Sequence, residues 1–129
     1  FRVSLIDERQ EIAAVYNGKP CLDVGLMTDV FSGYGKSDGI IRAVRCMSPD
    51  YIVTDELGAD AESIRQAVNS GSGLIMTAHA DSIEEAYRNE GIRTVIDSGA
   101  IQHIALVQGH RITAVKQLIT AEANAVCTI

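Results

Sequence analysis

Three short, largely apolar runs, each ending abruptly in side chains capable of chemistry, constrain this chain more than any other feature. Phe1 to Ile6 runs into Asp7-Glu8-Arg9, Tyr51 to Thr54 into Asp55-Glu56, and Leu74 to Met76 into Thr77-Ala78-His79. Runs of this length and polarity are the pattern of strands buried on both faces of a parallel sheet. Parallel strands require crossover connections, and helical periodicity lies between these runs. Strands alternating with helices imply an α/β architecture in which a mostly parallel sheet is layered by helices.

The spacing predicts a short helix over Glu11 to Tyr16, closed by Asn17-Gly18. From Lys19 to Gly39 the chain is rich in Gly, Asp, Ser and Thr and reads as a long irregular connection, of the kind kept for function or a subunit contact. Ser37 and Asp38 are expected to cap a helix running through Met47, with Ile40, Ile41, Val44 and Met47 on one face. Ala59 to Ser70 reads as a second helix with Gly71 as its C-cap, Ser82 to Asn89 as a third, and Ile92 to Ser98 as a weaker fourth. Gln102 to Gln108 and Arg111 to Leu118 flank Gly109-His110 as a hairpin, and the tail from Thr120 carries no clear signal.

The chain has 129 residues, enough for one domain with a real core, and begins in a strand at Phe1, as expected of a piece cut from a longer chain. Its apolar runs are far shorter than the roughly 20 residues that span a bilayer, and no charged-then-apolar leader is seen. A net charge of −6 argues against tight nucleic-acid binding through bulk electrostatics. Cys21, Cys46 and Cys127 are widely spaced, without a paired motif for zinc or redox chemistry, and read as reduced, mostly buried thiols.

If the sheet is parallel, the three polar run ends converge on one edge, the edge at which open parallel sheets bind ligands. Adjacent acids at a strand tip form the Walker B pattern: Asp55 would hold the water shell of Mg²⁺, and Glu56 would orient the water that attacks a γ-phosphate. The alternative is that Asp55-Glu56 merely caps the next helix. Thr77 and His79 can both donate to phosphate oxygens, although His79 alone reads equally well as a solvated loop imidazole. His103 and His110 read as strand and turn residues. Gly35-Lys36-Ser37 imitates the end of a P-loop, but Val30 stands where GxxxxGK needs its first glycine, so a Walker A motif is rejected there. Lys36 remains available to a neighbour or a phosphate. Seven arginines are candidates for a finger acting across a subunit boundary, with Arg42 and Arg45 favoured for their nearness to the Tyr51 run.

Val3 to Ala13, Asp23-Val24-Gly25, Thr28-Asp29-Val30, Met47-Ser48-Pro49-Asp50, Asp55-Glu56-Leu57-Gly58 and Thr77-Ala78-His79, taken in order, resemble the stage III sporulation protein AA family, relatives of the type II and type IV secretion ATPases. The resemblance covers nearly the whole chain and implies a three-layer αβα RecA-like P-loop NTPase core, with residues 1–129 as its Walker B half, truncated at the N-terminus and ending in the antiparallel hairpin. It places Asp7, Glu8 and Glu11 at the Asp box, Asp55 and Glu56 at Walker B, and Thr77 with His79 at the His box. Catalysis is thereby expected of Glu56, Glu8 and His79, cofactor contacts of Asp7, Glu11 and Thr77, and metal binding of Asp55. Met27 stands where an arginine is expected.

What the resemblance implies at the level of the molecule is a cytoplasmic ATPase using ATP and Mg²⁺, a homo-oligomeric ring such as a hexamer. Such a ring lies peripheral to the membrane and energises the channel proteins of a sporulation or secretion complex. Without a P-loop the 129 residues are expected to be inactive alone. Two other readings compete: a RecA-shaped scaffold without catalysis, and a DNA-dependent recombination ATPase, which the acidic balance disfavours.

Overall fold

In the computed structural model, which describes residues 1–56, 61–118 and 125–128, seven strands form one sheet in the order β2-β1-β3-β4-β7-β5-β6. The strands are β1 (Val3–Asp7), β2 (Thr28–Ser32), β3 (Tyr51–Thr54), β4 (Gly73–Thr77), β5 (His103–Gln108), β6 (Arg111–Gln117) and β7 (Ala125–Thr128). All neighbours pair in parallel except β5 and β6, the expected hairpin. The helices are α1 (Lys36–Cys46), α2 (Ala61–Asn69), α3 (Ile83–Ala86) and α4 (Glu90–Asp97).

One core accounts for the packing. Ile6, Ile52, Leu74, Met76 and Ile104 point from the sheet into a cluster with Ile40 and Ala43 of α1, Ile64 and Ala67 of α2, Ala86 of α3, and Ile92 and Val95 of α4. Because side chains alternate along a strand, the described helices therefore cover a single face of the sheet. The other face, carrying Val3, Leu5, Tyr51, Val53 and Ile75, is overlaid in part by the segment between β1 and β2, and all but Leu5 are half-buried. A hollow of about 160 Å³ lies on this side, lined by Val3, Leu5, Ile12, Val24 and Val53 among others. Two layers, not three, are thus seen among the described residues.

Several expected elements differ. No helix forms over Glu11 to Tyr16: the Asp7 carboxylate accepts the N–H groups of Glu11, Ile12 and Ala13, and Gln10 and Ala14 take positive φ values of 60° and 47°. The backbone donors are thereby fixed in a turn rather than a helix. Tyr16 and Lys19 then pair across the Asn17-Gly18 turn. The supposedly irregular stretch contains β2, an edge strand in parallel register with β1 from Val3 opposite Thr28 to Asp7 opposite Ser32. Helix α1 starts at Lys36, ahead of the expected caps Ser37 and Asp38, with Gly35 as N-cap and no side-chain cap. Gly39 of α1 lies so close to β1 that an added Cβ would stand 2.5 Å from Ile6 Cγ2.

The start of the second helix at Ala59 lies outside the described residues, and α2 is seen from Ala61. The relative strengths of the last two helices are reversed, with α3 a single turn capped by Ser82 and α4 two turns capped by Asn89. The tail, for which no element was expected, supplies β7, inserted in parallel between β4 and β5; residues 119–124 and 129 lie outside the described residues. Cys21 and Cys46 are free but exposed, against the expectation of buried thiols. His103 begins β5 and His110 occupies the hairpin turn at φ 63°.

Candidate functional site

Register decides whether the three chemically capable run ends meet. Ile6 pairs with Thr54, and Thr54 pairs with Met76, so β1, β3 and β4 end in one row. All three run in the same direction, and the residues that follow emerge from the same edge. The polar ends read from the sequence are thus neighbours in space.

Within that row three acid–base contacts form. Asp55, nearly buried at 5% exposure, lies with one oxygen, Oδ1, 3.1 Å from Lys36 Nζ, and its other oxygen, Oδ2, accepts the Arg9 backbone N–H at 3.3 Å. Lys36 Nζ also donates to Glu8 Oε2 at 2.9 Å. Beside them, Arg9 Nη2 pairs with Glu56 Oε2 at 2.8 Å, in a more open position. Asp55 Oδ1 is buried and makes no directional hydrogen bond, so its contact with Lys36 is an ion pair alone. Burial by itself would lower the Lys36 pKa, but the hydrogen bond to Glu8 and the nearby charges of Glu8 and Asp55 outweigh it and hold the ammonium above its usual 10.5.

The remaining sequence candidates divide. Asp7 is fully buried, and both of its oxygens are taken by the N–H groups of residues 11–13, so it shapes the turn that carries Glu8 and Arg9 instead of facing a ligand. Glu11 donates its N–H to Asp7 while its side chain is exposed. Thr77 and His79 follow β4 on the same edge with exposed side chains, neither of them hydrogen-bonded among the described residues. Of the favoured arginines, Arg42 stacks on Tyr34 at 5.6 Å and Arg45 is exposed; neither enters the row. Arg9 does, and its position directly after the tip of β1 was the available signal.

Lys36 reaches the acids because β2 lies beside β1, so that the following turn opens on the same edge. The segment before Gly35-Lys36-Ser37 is a strand after all, yet only residues 33–35 separate it from α1. That turn is too short for the cradle of a GxxxxGK loop, and its lysine is committed to carboxylates. A larger hollow of about 420 Å³ opens at the opposite edge, lined by Phe1, Tyr51, Gly73 and His103 among others. It contains none of the paired acids, and the charged row is the better candidate.

Among the described residues no group of three or more His, Cys, Asp or Glu side chains is arranged to hold a metal ion by itself, and no helix is long and apolar enough to cross a membrane. A buried carboxylate oxygen without a hydrogen bond does suit Mg²⁺, which commonly takes one or two carboxylates and completes its shell with water and substrate phosphates.

Comparison with known proteins adds the family. The sequence model described as "Sporulation stage III, protein AA" matches residues 1–122. The chain is similar to stage III sporulation protein AA of Bacillus subtilis (strain 168), with 26% identity over 126 residues, covering 95% of this chain and 41% of that protein. It therefore spans well under half the length of that curated relative. No solved structure matches.

Proposed function

Because the chain belongs to the sporulation stage III, protein AA family, we propose that it is the Walker B half of an ATPase motor serving a sporulation complex. The observation that carries this reading is the row formed by the tips of β1, β3 and β4, in which Asp55 and Glu56 stand side by side and flanked by Glu8. A RecA-like core, with a second helix layer over the half-buried face of the sheet, is part of the same proposal. The phosphate-gripping loop is not encoded in these residues and, in this reading, comes from another part of a longer polypeptide.

Each side chain has a task in that site. Asp55, fixed by the Arg9 N–H and facing a cation already, would hold Mg²⁺ or its ligand water. Mg²⁺ bound there would neutralise charge on the phosphates. Glu56, partly open to solvent, accepts a hydrogen bond from the attacking water and orients it. Glu8 is set beside it by the turn that Asp7 ties down. Thr77 and His79, free at the end of β4, donate to phosphate oxygens, and Glu11 stands at the rim. The motor acts as a homo-oligomeric ring, such as a hexamer, on the cytoplasmic side of channel proteins in the membrane, and binds no nucleic acid.

In the full-length protein Glu56→Gln is expected to retain ATP binding while hydrolysis falls at least about 100-fold, the scale of losing a positioned general base. Unaltered turnover in that variant would remove Glu56 from the mechanism. The 129-residue chain alone is expected to show no hydrolysis. A second reading, a RecA-shaped scaffold, is favoured by one observation: Asp55 and Glu56 both already carry basic partners within the chain. The scaffold predicts no hydrolysis by the full-length protein either, which separates the two.

A further inference from the structure

Lys36 is a buried ammonium to which the mechanism above gives no task. Its side chain is 8% exposed and contacts acids from two different elements, Glu8 after β1 and Asp55 after β3. An ammonium is kept out of water only where paired charge compensates it, and here Glu8 and Asp55 provide that charge. The contact with Asp55 is Coulombic without hydrogen-bond alignment, the kind of contact that a spherical cation makes with a carboxylate oxygen.

The geometry points to Lys36 as a built-in rival of the divalent cation: its ammonium and the metal ion compete for the same oxygen of Asp55, so that one enters only as the other withdraws. The inference rests on reading Asp55 as the metal carboxylate. Two cations facing one carboxylate oxygen repel each other, so occupancy by either weakens the hold on the other. Withdrawal is simple in structural terms. Lys36 occupies the first turn of α1, its N-cap Gly35 makes no side-chain cap bond, and Glu8, whose side chain is 43% exposed, remains as a partner farther out. An ammonium moved from Asp55 onto Glu8 stays at the mouth of the row, where phosphate oxygens would arrive.

Mn²⁺ serves as the probe, with binding read from the loss of its free paramagnetic resonance signal and from the melting temperature of the 129-residue chain. Lys36→Met is expected to bind Mn²⁺ at least about tenfold more tightly than the unaltered chain and to gain more melting temperature from it, since the competing charge is gone. Adding Asp55→Asn should abolish both effects. Should Lys36→Met fold only when Mn²⁺ is present, the ion is replacing the ammonium and the inference holds. Should it fold under neither condition, Glu8→Gln with Lys36→Met, which removes one charge of each sign, carries the same comparison. Equal Mn²⁺ affinity with and without Lys36, still dependent on Asp55, overturns the competition and leaves Asp55 as a metal carboxylate. Binding absent from every variant, or indifferent to Asp55→Asn, overturns both.

Discussion

Asp7 illustrates how a single carboxylate can set the shape of a site without entering it. Its oxygens accept three consecutive backbone N–H groups at 3.0, 3.2 and 2.8 Å, and that turn positions Glu8 and Arg9. Replacing it with Asn removes the charge and puts an NH₂ where an acceptor is required. We expect Asp7→Asn to lose about 1.5–3 kcal/mol of stability in urea unfolding, the range for hydrogen bonds to charged groups. A loss within about 0.5 kcal/mol, the range of an ordinary surface change, would contradict the role given to it. Lys36 makes a prediction of opposite character. Its pKa is raised in the fold, so the stability it contributes is complete below pH 10.5 and declines as pH climbs through the higher folded value. Thermal melts between neutral and strongly alkaline pH should show a loss in the unaltered chain that is absent in Lys36→Met. At this scale Glu8, Asp55 and Glu56 were legible because each ends an apolar run. The inward turn of Asp7 was not, since it depends on where the next six backbone N–H groups point. Arg9 and Lys36 were seen only as unassigned cations, because their partners lie across the sheet.

Helix α1 packs on β1 through Gly39, where the two elements approach too closely for a methyl group. Alanine at that position would improve helix propensity by about 1 kcal/mol. It would also drive a Cβ to 2.5 Å from the Cγ2 of Ile6, a fully buried, β-branched side chain with little room to turn. Overpacking of this kind costs about 1–3 kcal/mol, and against a Cβ that close the upper part of the range applies, so Gly39→Ala is expected to be destabilising on balance, by up to about 2 kcal/mol in denaturant unfolding. A stabilised Gly39→Ala would show that α1 does not sit as described. The elements with strong internal period, β1, β3, β4, α1 and the hairpin, were readable. Those set by context were misread: Glu11 to Tyr16 carry a helix-like pattern that Asp7 overrides, and β2 is an edge strand whose Thr-Asp-Val-Phe-Ser sequence has no continuous apolar run. β7 draws its strand character from two neighbours distant in sequence.

Taken together, the described residues form a mostly parallel sheet with one face packed under helices and one face half-covered, its candidate chemistry gathered at the C-terminal edge of β1, β3 and β4. Such a sheet should open from its margins. Amide hydrogen exchange is expected to be slowest at Ser4–Ile6, Ile52–Thr54 and Leu74–Met76, which carry the buried core, and fastest in β6, which is exposed along most of its length. Equal protection of β6 and β3 would contradict that ordering. The parallel sheet and the meeting of three strand ends followed from the sequence because each run ended in the same way. The number of layers did not, because helix patterns reveal an apolar stripe but not the sheet face that receives it. The most direct measurement on the central claim is paramagnetic broadening of backbone amide signals by Mn²⁺·ATP in the full-length protein. The account predicts broadening concentrated at residues 7–9, 55–56 and 77–79, together with Lys36, and little effect at Phe1, Tyr51 and Gly73 on the opposite edge. Broadening centred on that opposite edge, or spread evenly over both, would contradict it.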